Sequence, residues 1–347
     1  MKVLVDITHP AHVHFFKYAI EGWQARGHQV IITSRDKDLT LCLLDRYEFR
    51  HTTLSQARKG VMGLGLEMLE RGRKLWDIVR SKRPAVLTGV GGTFIAPIGK
   101  LTGTPVVIFT DTEHARVANA IAFPLADAIC TPACYEDQIG RKQVTYSGYQ
   151  ELAYLHPSRF TPDQSQLQPF DVSPEEPYIV VRLVAWASGH DIGDRGLTDL
   201  KTAVETLSRY GRVLISSEDP LPPDLSHYGV TVSPEQIHHL LAFATLYIGE
   251  SATMASESAI LGVPSIFVST STRGYTNEQG RKYGLVYTFS DPQIAQRQAL
   301  EKAVELLRRP NSRAEWQIKR EKMLNEMTDV TAFIVDIVKQ HAKAPIR

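Results

Sequence analysis

The chain has 347 residues, 43% of them apolar and 22% charged, with a formal net charge of +1. That length exceeds one ordinary domain of about 150 residues, and the near-neutral balance offers no global field to nucleic acid or an anionic membrane. Three cysteines, Cys42, Cys130 and Cys134, are too few for a disulfide framework, and the odd number fits a reducing compartment.

In chain order, residues 2–7 (KVLVDI) predict a buried strand, and 14–26 a helix on which Phe15, Ala19 and Trp23 recur every four residues until Gly27 stops it. A strand at 30–33 (VIIT), a helix near 37–46 and a long helix around 64–82 follow. AVLTG (85–89), PVVIF (105–109) and AICT (128–131) are further strands. Continuous apolar runs flanked by helices imply a parallel sheet covered on both faces. Residues 157–177 hold Pro157, Pro162, Pro169, Pro174 and Pro177 and are expected to form a linker. The rhythm then restarts with YIVVRLV (178–184), a helix near 197–209, RVLIS (212–216), GVTV (229–232), a helix near 235–243, LYIG (246–249), a helix near 252–261 and PSIFV (264–268). Residues 292–308 and 312–342 are expected to be helical. The expected organisation is an α/β unit over 1–156, a linker over 157–177, a second α/β unit over 178–327 and a last segment, 328–347. The amino terminus enters a strand directly, without the apolar region of a signal peptide, and no apolar run reaches spanning length, so the cytoplasm is the expected location.

Ligands of parallel sheets bind beyond the carboxyl ends of the strands, which singles out six loops. In GESATMASESAILGVPSIFV (249–268) the small residues Ser251, Ala252 and Thr253 stand between a strand and a helix. Free amides at a helix start and the helix dipole favour a phosphate; Ser251 as a plain N-cap is the alternative. Glu257, one turn later, suits a vicinal diol, because a carboxylate accepts both hydroxyl hydrogens. In THPAHVHFF (8–16), His9, His12 and His14 crowd one loop, where imidazoles can act as base or hydrogen-bond a sugar or phosphate. Their spacing also permits a metal, but no cysteine or carboxylate cluster lies nearby in sequence, so no metal is expected. GVGG (89–92) lets a ligand or a second domain approach closely; it is not a dinucleotide fingerprint, and NAD is not expected. In TDTEHARV (110–117), Asp111 and Glu113 can take a proton from a hydroxyl, or Asp111 can cap a helix. In RLVAWASGHDIGDRG (182–196), Arg182, His190 and Arg195 can meet a diphosphate that lacks a metal, with Arg182 alternatively in a structural ion pair. In RGYTNEQGRKYG (273–284), Asn277, Glu278 and Gln279 suit sugar hydroxyls. The helix at 61–80 mixes apolar residues with Arg71, Arg73, Lys74 and Arg80, which fits a helix covering the sheet or transient contact with a membrane surface.

Taken together, these loops resemble those of GT-B enzymes, above all the peptidoglycan N-acetylglucosaminyltransferase that forms lipid II. SATMASESAILGVPSIFV looks like that family's donor-binding helix, with an acid five residues before Gly262. The resemblance implies that Glu257 holds the ribose and the backbone of Ser251, Ala252 and Thr253 the diphosphate. It places Gln279 at the donor sugar and His12 at the position of a histidine in the family's first loop. ITHPAHVHFFK, RLVAWASGHDIG and ESATMASESAILGVP together look most like an uncharacterised bacterial and archaeal family grouped with GT-B glycosyltransferases and sugar epimerases. HPAHVH lacks the glycine run of the lipid II enzyme, which leaves the acceptor open. Non-hydrolysing UDP-N-acetylglucosamine 2-epimerases share the fold and donor helix and place acids and histidines in the cleft, a reading that Glu113 and His190 keep open.

The resemblance thus implies a GT-B type fold, with two Rossmann-like domains whose parallel sheets face a cleft and a last helix that crosses back to the first domain. The expected reaction is metal-independent transfer from a nucleotide-sugar donor, a UDP-sugar, to a glycan or lipid-linked acceptor. His12, His14, Asp111 or Glu113 supplies the base, and Arg182 with the helix-start amides steadies the leaving diphosphate. No cofactor is expected beyond the nucleotide sugar as substrate, and no nucleic-acid partner. A 2-epimerase-like enzyme and a non-catalytic nucleotide-sugar-binding protein are the alternatives.

Overall fold

The computed structural model describes residues 1–58, 60–184 and 196–343. The chain divides into two compact units: Met1–Tyr154 together with Thr328–Arg347, and Leu155–Met327.

The first unit runs β1 (Lys2–Ile7), α1 (Pro10–Ala25), β2 (Gln29–Asp36), α2 (Thr40–Arg46), β3 (His51–Gln56), α3 (Gly60–Lys82), β4 (Val86–Val90), α4 (Ile95–Thr102), β5 (Val106–Phe109), α5 (Arg116–Ala122), β6 (Ala128–Pro132), β7 (Gln143–Tyr146) and α6 (Leu152–Leu155). The second runs β8 (Tyr178–Leu183), α7 (Leu200–Leu207), β9 (Arg212–Ser217), α8 (Ile237–Phe243), β10 (Leu246–Gly249), α9 (Ala252–Ile260), β11 (Ser265–Val268), α10 (Gly274–Arg281), β12 (Val286–Phe289), α11 (Ala295–Leu307) and α12 (Ser312–Glu326). The last helix, α13 (Val330–His341), belongs to the first unit. Its Phe333 packs against Phe109 and Tyr146.

Both sheets are parallel, in the order β3-β2-β1-β4-β5-β6-β7 and β12-β11-β10-β8-β9. Strand order reverses between β1 and β4 in one sheet and between β8 and β10 in the other. Such switch points open a crevice at the carboxyl edge. They single out the loops after β1 and β4, and those after β8 and β10.

Several elements differ from expectation. Helix α1 starts at Pro10, because His9 caps it by accepting the Ala11 N–H at 3.2 Å and proline suits the first turn. His12 and His14 therefore lie on a helix, not in a loop. The strand expected at GVTV (229–232) is absent; Gly229 makes only an isolated bridge to Ile215, and none of the four residues is buried. The expected helix over 312–342 breaks into α12 and α13, with Asp329 capping the second. The proline-rich stretch 157–177 lies in the second unit and carries a 3₁₀ turn, Gln164–Phe170, with Leu167 and Phe170 buried.

One face of the first sheet packs Leu4, Leu87, Ile108 and Ile129 against Leu75 and Val79 of α3 and Ile95 of α4. A buried charged network lies beside this core. Asp6 of β1 accepts from Thr33 (2.6 Å) and from Arg71 of α3, while Glu67 of α3 takes two bonds of 2.6 Å from Arg35 of β2. Arg71 is wholly buried and lies over the Phe94 ring, 4.9 Å from its centroid. So α3 covers the sheet through Glu67, Arg71, Leu75 and Val79, and Met62, Leu66 and Leu69 are exposed. Among the described residues no helix is long and apolar enough to cross a membrane.

Candidate functional site

In the second unit, Ser251 is the N-cap of α9, with extended backbone and its hydroxyl accepting the Met254 N–H at 3.3 Å. Ser251, Ala252 and Thr253 are half-buried, so the helix start is open to a ligand. The first amides of a helix have no partner within it and attract anions.

Glu257 lies on the buried part of α9. Its Oε1 is 2.9 Å from Nε2 of His238 on α8, and both side chains are 6% exposed. The expected ribose carboxylate is thus held in place by a histidine. Gln279 is wholly buried, and its amide donates to Ser256 Oγ at 2.8 Å, which turns it toward α9. Asn277 remains half-buried on α10. Arg182, near the end of β8, donates to Ser216 Oγ at 2.9 Å and pairs with Glu218, the structural ion pair named above as its alternative. His190, Trp186 and Arg195 lie outside the described residues.

Sequence reasoning passed over Glu250. Its carboxylate accepts the Val184 N–H at 2.9 Å and the Leu197 N–H at 2.7 Å, joining the two flanks of the β8–α7 connection directly before the Ser251 cap. A Cβ on Gly196 would meet Glu250 Oε1 at 2.2 Å, so a side chain there would displace the Glu250 carboxylate from its two amides. An acid immediately before a turn expected to take a phosphate opposes the anion, and that mismatch was the readable sign of a backbone-holding role.

In the first unit, His12 Nδ1 receives the Thr8 N–H at 3.4 Å and lies 3.2 Å from the Thr8 hydroxyl. An amide can only donate, so the neutral ring carries its hydrogen on Nε2. Burial of the ring first, then the charges of His9 and Lys37, hold His12 well below the usual imidazole range, although the residue keeps some exposure. The result is a neutral donor. His14 is buried, with Nδ1 3.3 Å from the Tyr47 hydroxyl and its ring 5.3 Å from that of Tyr154. Two residues along a helix is a turn of about 200°, so the geometry separates His14 from His12.

In the GVGG loop Gly92 serves packing. Gly91 and Gly92 have φ of 73° and 74°, and a Cβ on Gly92 would meet Ile108 at 2.3 Å. Beyond β5, Asp111 accepts from the Thr112 hydroxyl at 2.9 Å, and Glu113 Oε1 accepts the Glu136 N–H at 3.2 Å. Both acids are half-buried. Among the described residues, no group of three or more histidine, cysteine, aspartate or glutamate side chains is placed to hold a metal ion.

A family model described as "Protein of unknown function (DUF354)" matches residues 1–343. The chain belongs to this family. An uncharacterised protein of Methanocaldococcus jannaschii is 24% identical over 282 residues, 77% of this chain and 81% of that protein. A UDP-N-acetylglucosamine–N-acetylmuramyl-(pentapeptide) pyrophosphoryl-undecaprenol N-acetylglucosamine transferase of Azotobacter vinelandii is 32% identical over 122 residues, 31% of this chain and 34% of the enzyme. The structure of a UDP-GlcNAc 2-epimerase from Neisseria meningitidis, bound to UDP-GlcNAc, superposes with a TM-score of 0.69 at 13% identity, covering 98% of this chain and 100% of that one. Solved glycosyltransferases share the fold as well. Two parallel sheets with flanking helices therefore match the two-Rossmann-domain, GT-B architecture of these neighbours.

Proposed function

We propose that the chain transfers a sugar from a nucleotide-sugar donor, a UDP-sugar, to a hydroxyl acceptor without a metal. The observation that carries this reading is the start of α9: a capped, accessible helix terminus at the switch point of the second sheet, with Glu257 one turn further on. The amides of Ala252 and Thr253 hold the diphosphate and stabilise the charge that develops as it leaves. Glu257, oriented by His238, takes the ribose hydroxyls. In the first unit, Asp111 or Glu113 is the base, and His12 donates through Nε2 to an oxygen of the substrate. His14 and Gln279 take supporting positions.

A 2-epimerase-like enzyme is the second reading, favoured by a TM-score of 0.69 to the UDP-GlcNAc 2-epimerase against 0.64 and 0.62 to two glycosyltransferases. It uses the same α9 start and requires no acceptor.

Thermal-shift screening against UDP, GDP, dTDP, CDP and their sugars tests the binding half. UDP and UDP-sugars are expected to stabilise the chain, and silence toward every nucleotide diphosphate overturns both readings. Glu257→Gln is expected to weaken UDP about tenfold or more, the worth of a charge-assisted hydrogen bond; unchanged affinity removes the ribose assignment. Release of an epimer without any acceptor would select the second reading.

A further inference from the structure

The carboxyl edge of β5, β6 and β7 gathers polar atoms that are enclosed yet bonded to nothing in the chain: Glu113 Oε2, the hydroxyls of Tyr135 and Tyr146, and Gln150 Nε2. Glu113 follows β5, Tyr135 follows β6, Tyr146 ends β7, and Gln150 comes four residues after it. Tyr146 is 4% exposed, and its ring is fixed against Phe333 of α13, with centroids 4.9 Å apart. Tyr135 is 8% exposed. Asp111, Glu113 and Gln150 are half-buried, so the edge reaches the surface.

The two phenols, Glu113 and Asp111 form one neighbourhood, and Gln150 follows Tyr146 by four residues in the chain. Burial first, and then nearby groups, push both phenols above their usual range: the carboxylates Glu113, Asp137 and Asp111 act on Tyr135, and the carboxylates Asp111 and Glu151 with the thiols Cys130 and Cys134 on Tyr146. Asp111 is common to both. The phenols therefore stay protonated and neutral.

An enclosed polar atom without a partner costs about 1–3 kcal/mol. Folded chains rarely keep several at one edge unless water or a ligand satisfies them. The chemistry of this set selects the ligand. Phenols donate and accept, the amide nitrogen donates, and the carboxylate accepts, which is the pattern that hydroxyl groups meet. The charged groups acting on the two phenols are the carboxylates Asp111, Glu113, Asp137 and Glu151, so a phosphate would be repelled there.

We propose that this edge binds a neutral, hydroxyl-rich group, a sugar ring or polyol without phosphate, through Tyr135, Tyr146 and Gln150. The proposal deepens the transferase reading, on which it rests for the proton-accepting role of Asp111 or Glu113. It names the acceptor's reacting portion as an uncharged polyol and excludes a phosphorylated one from this edge.

Saturation-transfer NMR on the full chain tests it, with N-acetylglucosamine and myo-inositol as neutral probes and glucose 6-phosphate as the anionic one. Transfer to a neutral probe is expected to exceed that to glucose 6-phosphate. Affinity should fall about fivefold in Tyr146→Phe and in Tyr135→Phe, the worth of one hydrogen bond. Circular dichroism confirms that both variants fold. No transfer to either neutral probe, equal affinity in the phenylalanine variants, or preference for the phosphorylated probe overturns the proposal. So does a crystal structure at saturating probe in which only ordered water satisfies the four atoms. A UDP thermal shift on the same samples separates the outcomes. A UDP response with no neutral-sugar binding overturns this site alone, whereas sugar binding without any nucleotide response overturns the transferase reading alone.

Discussion

Two regions of the molecule, the surroundings of α9 and the far edge of the first sheet, hold their polar groups differently. Around α9 each key side chain has at least one partner, Glu257 with His238, Arg182 with Ser216 and Glu218, Glu250 with two backbone amides, and Gln279 with Ser256, while Arg182 Nε and Gln279 Oε1 stay enclosed without one. At the far edge of the first sheet, Tyr135 and Tyr146 have hydroxyls as their only side-chain polar atoms, and these are enclosed without partners. A nucleotide diphosphate is a constant feature of donors, so a site for it gains from being held rigid before binding. An edge with unsatisfied hydrogen-bonding capacity is completed only by what binds it.

The sharpest way to break this contrast is Glu250→Gln. An amide can accept one of the two N–H groups but turns its own NH2 toward the other, so a loss of about 1.5–3 kcal/mol is expected in denaturant unfolding. Unchanged stability would mean that Val184 and Leu197 do not depend on Glu250. A smaller effect compares two buried tyrosines. The Tyr178 hydroxyl donates to the Leu240 carbonyl at 2.6 Å, whereas that of Tyr146 has no partner. Tyr178→Phe is expected to cost about 1 kcal/mol, while Tyr146→Phe leaves stability unchanged or raises it; equal losses would erase the difference between a bonded and an unbonded hydroxyl.

The smallest expected effect is in the pH response of His12. Its folded pKa is depressed, so as pH falls below the unfolded value of about 6.5 the unfolded chain takes up a proton that the folded chain refuses. Its contribution to stability is full above that pH and declines below it. An NMR titration of the His12 ring should show no midpoint between pH 6.5 and 8, in the range where an ordinary histidine charges. A midpoint there would contradict the neutral-donor role.

What the sequence revealed followed burial. The central strands β1, β4, β5, β8 and β10 are continuous apolar runs and were readable as such. Of the four edge strands only β9 was, through its apolar run Val213, Leu214 and Ile215; the other three were not. In β3 only Leu54 and Ser55 are buried, in β7 only Tyr146, and in β12 only Val286, so no apolar period marks them. GVTV misled for the converse reason, since its β-branched residues find no sheet to cover. At the site, the α9 start was legible because strand, small residues and cap are consecutive in the chain. The Glu257–His238 pair joins residues 19 apart on different helices, and no local pattern encodes such a pairing. His12 and His14 looked equivalent until the helix start at Pro10 put them on opposite faces.

The charged network under α3 carries a consequence for how the first unit comes apart. Arg71 and Glu67 hang from the helix, whereas Asp6 and Arg35 belong to β1 and β2. Peeling the helix away would strand charges on both sides, each far costlier to leave alone in a dry interior than an exposed leucine. Helix and strands are therefore expected to open as one unit, with amides that exchange together. Sequence drift on the outward side, at Met62, Leu66 and Leu69, leaves that fastening untouched.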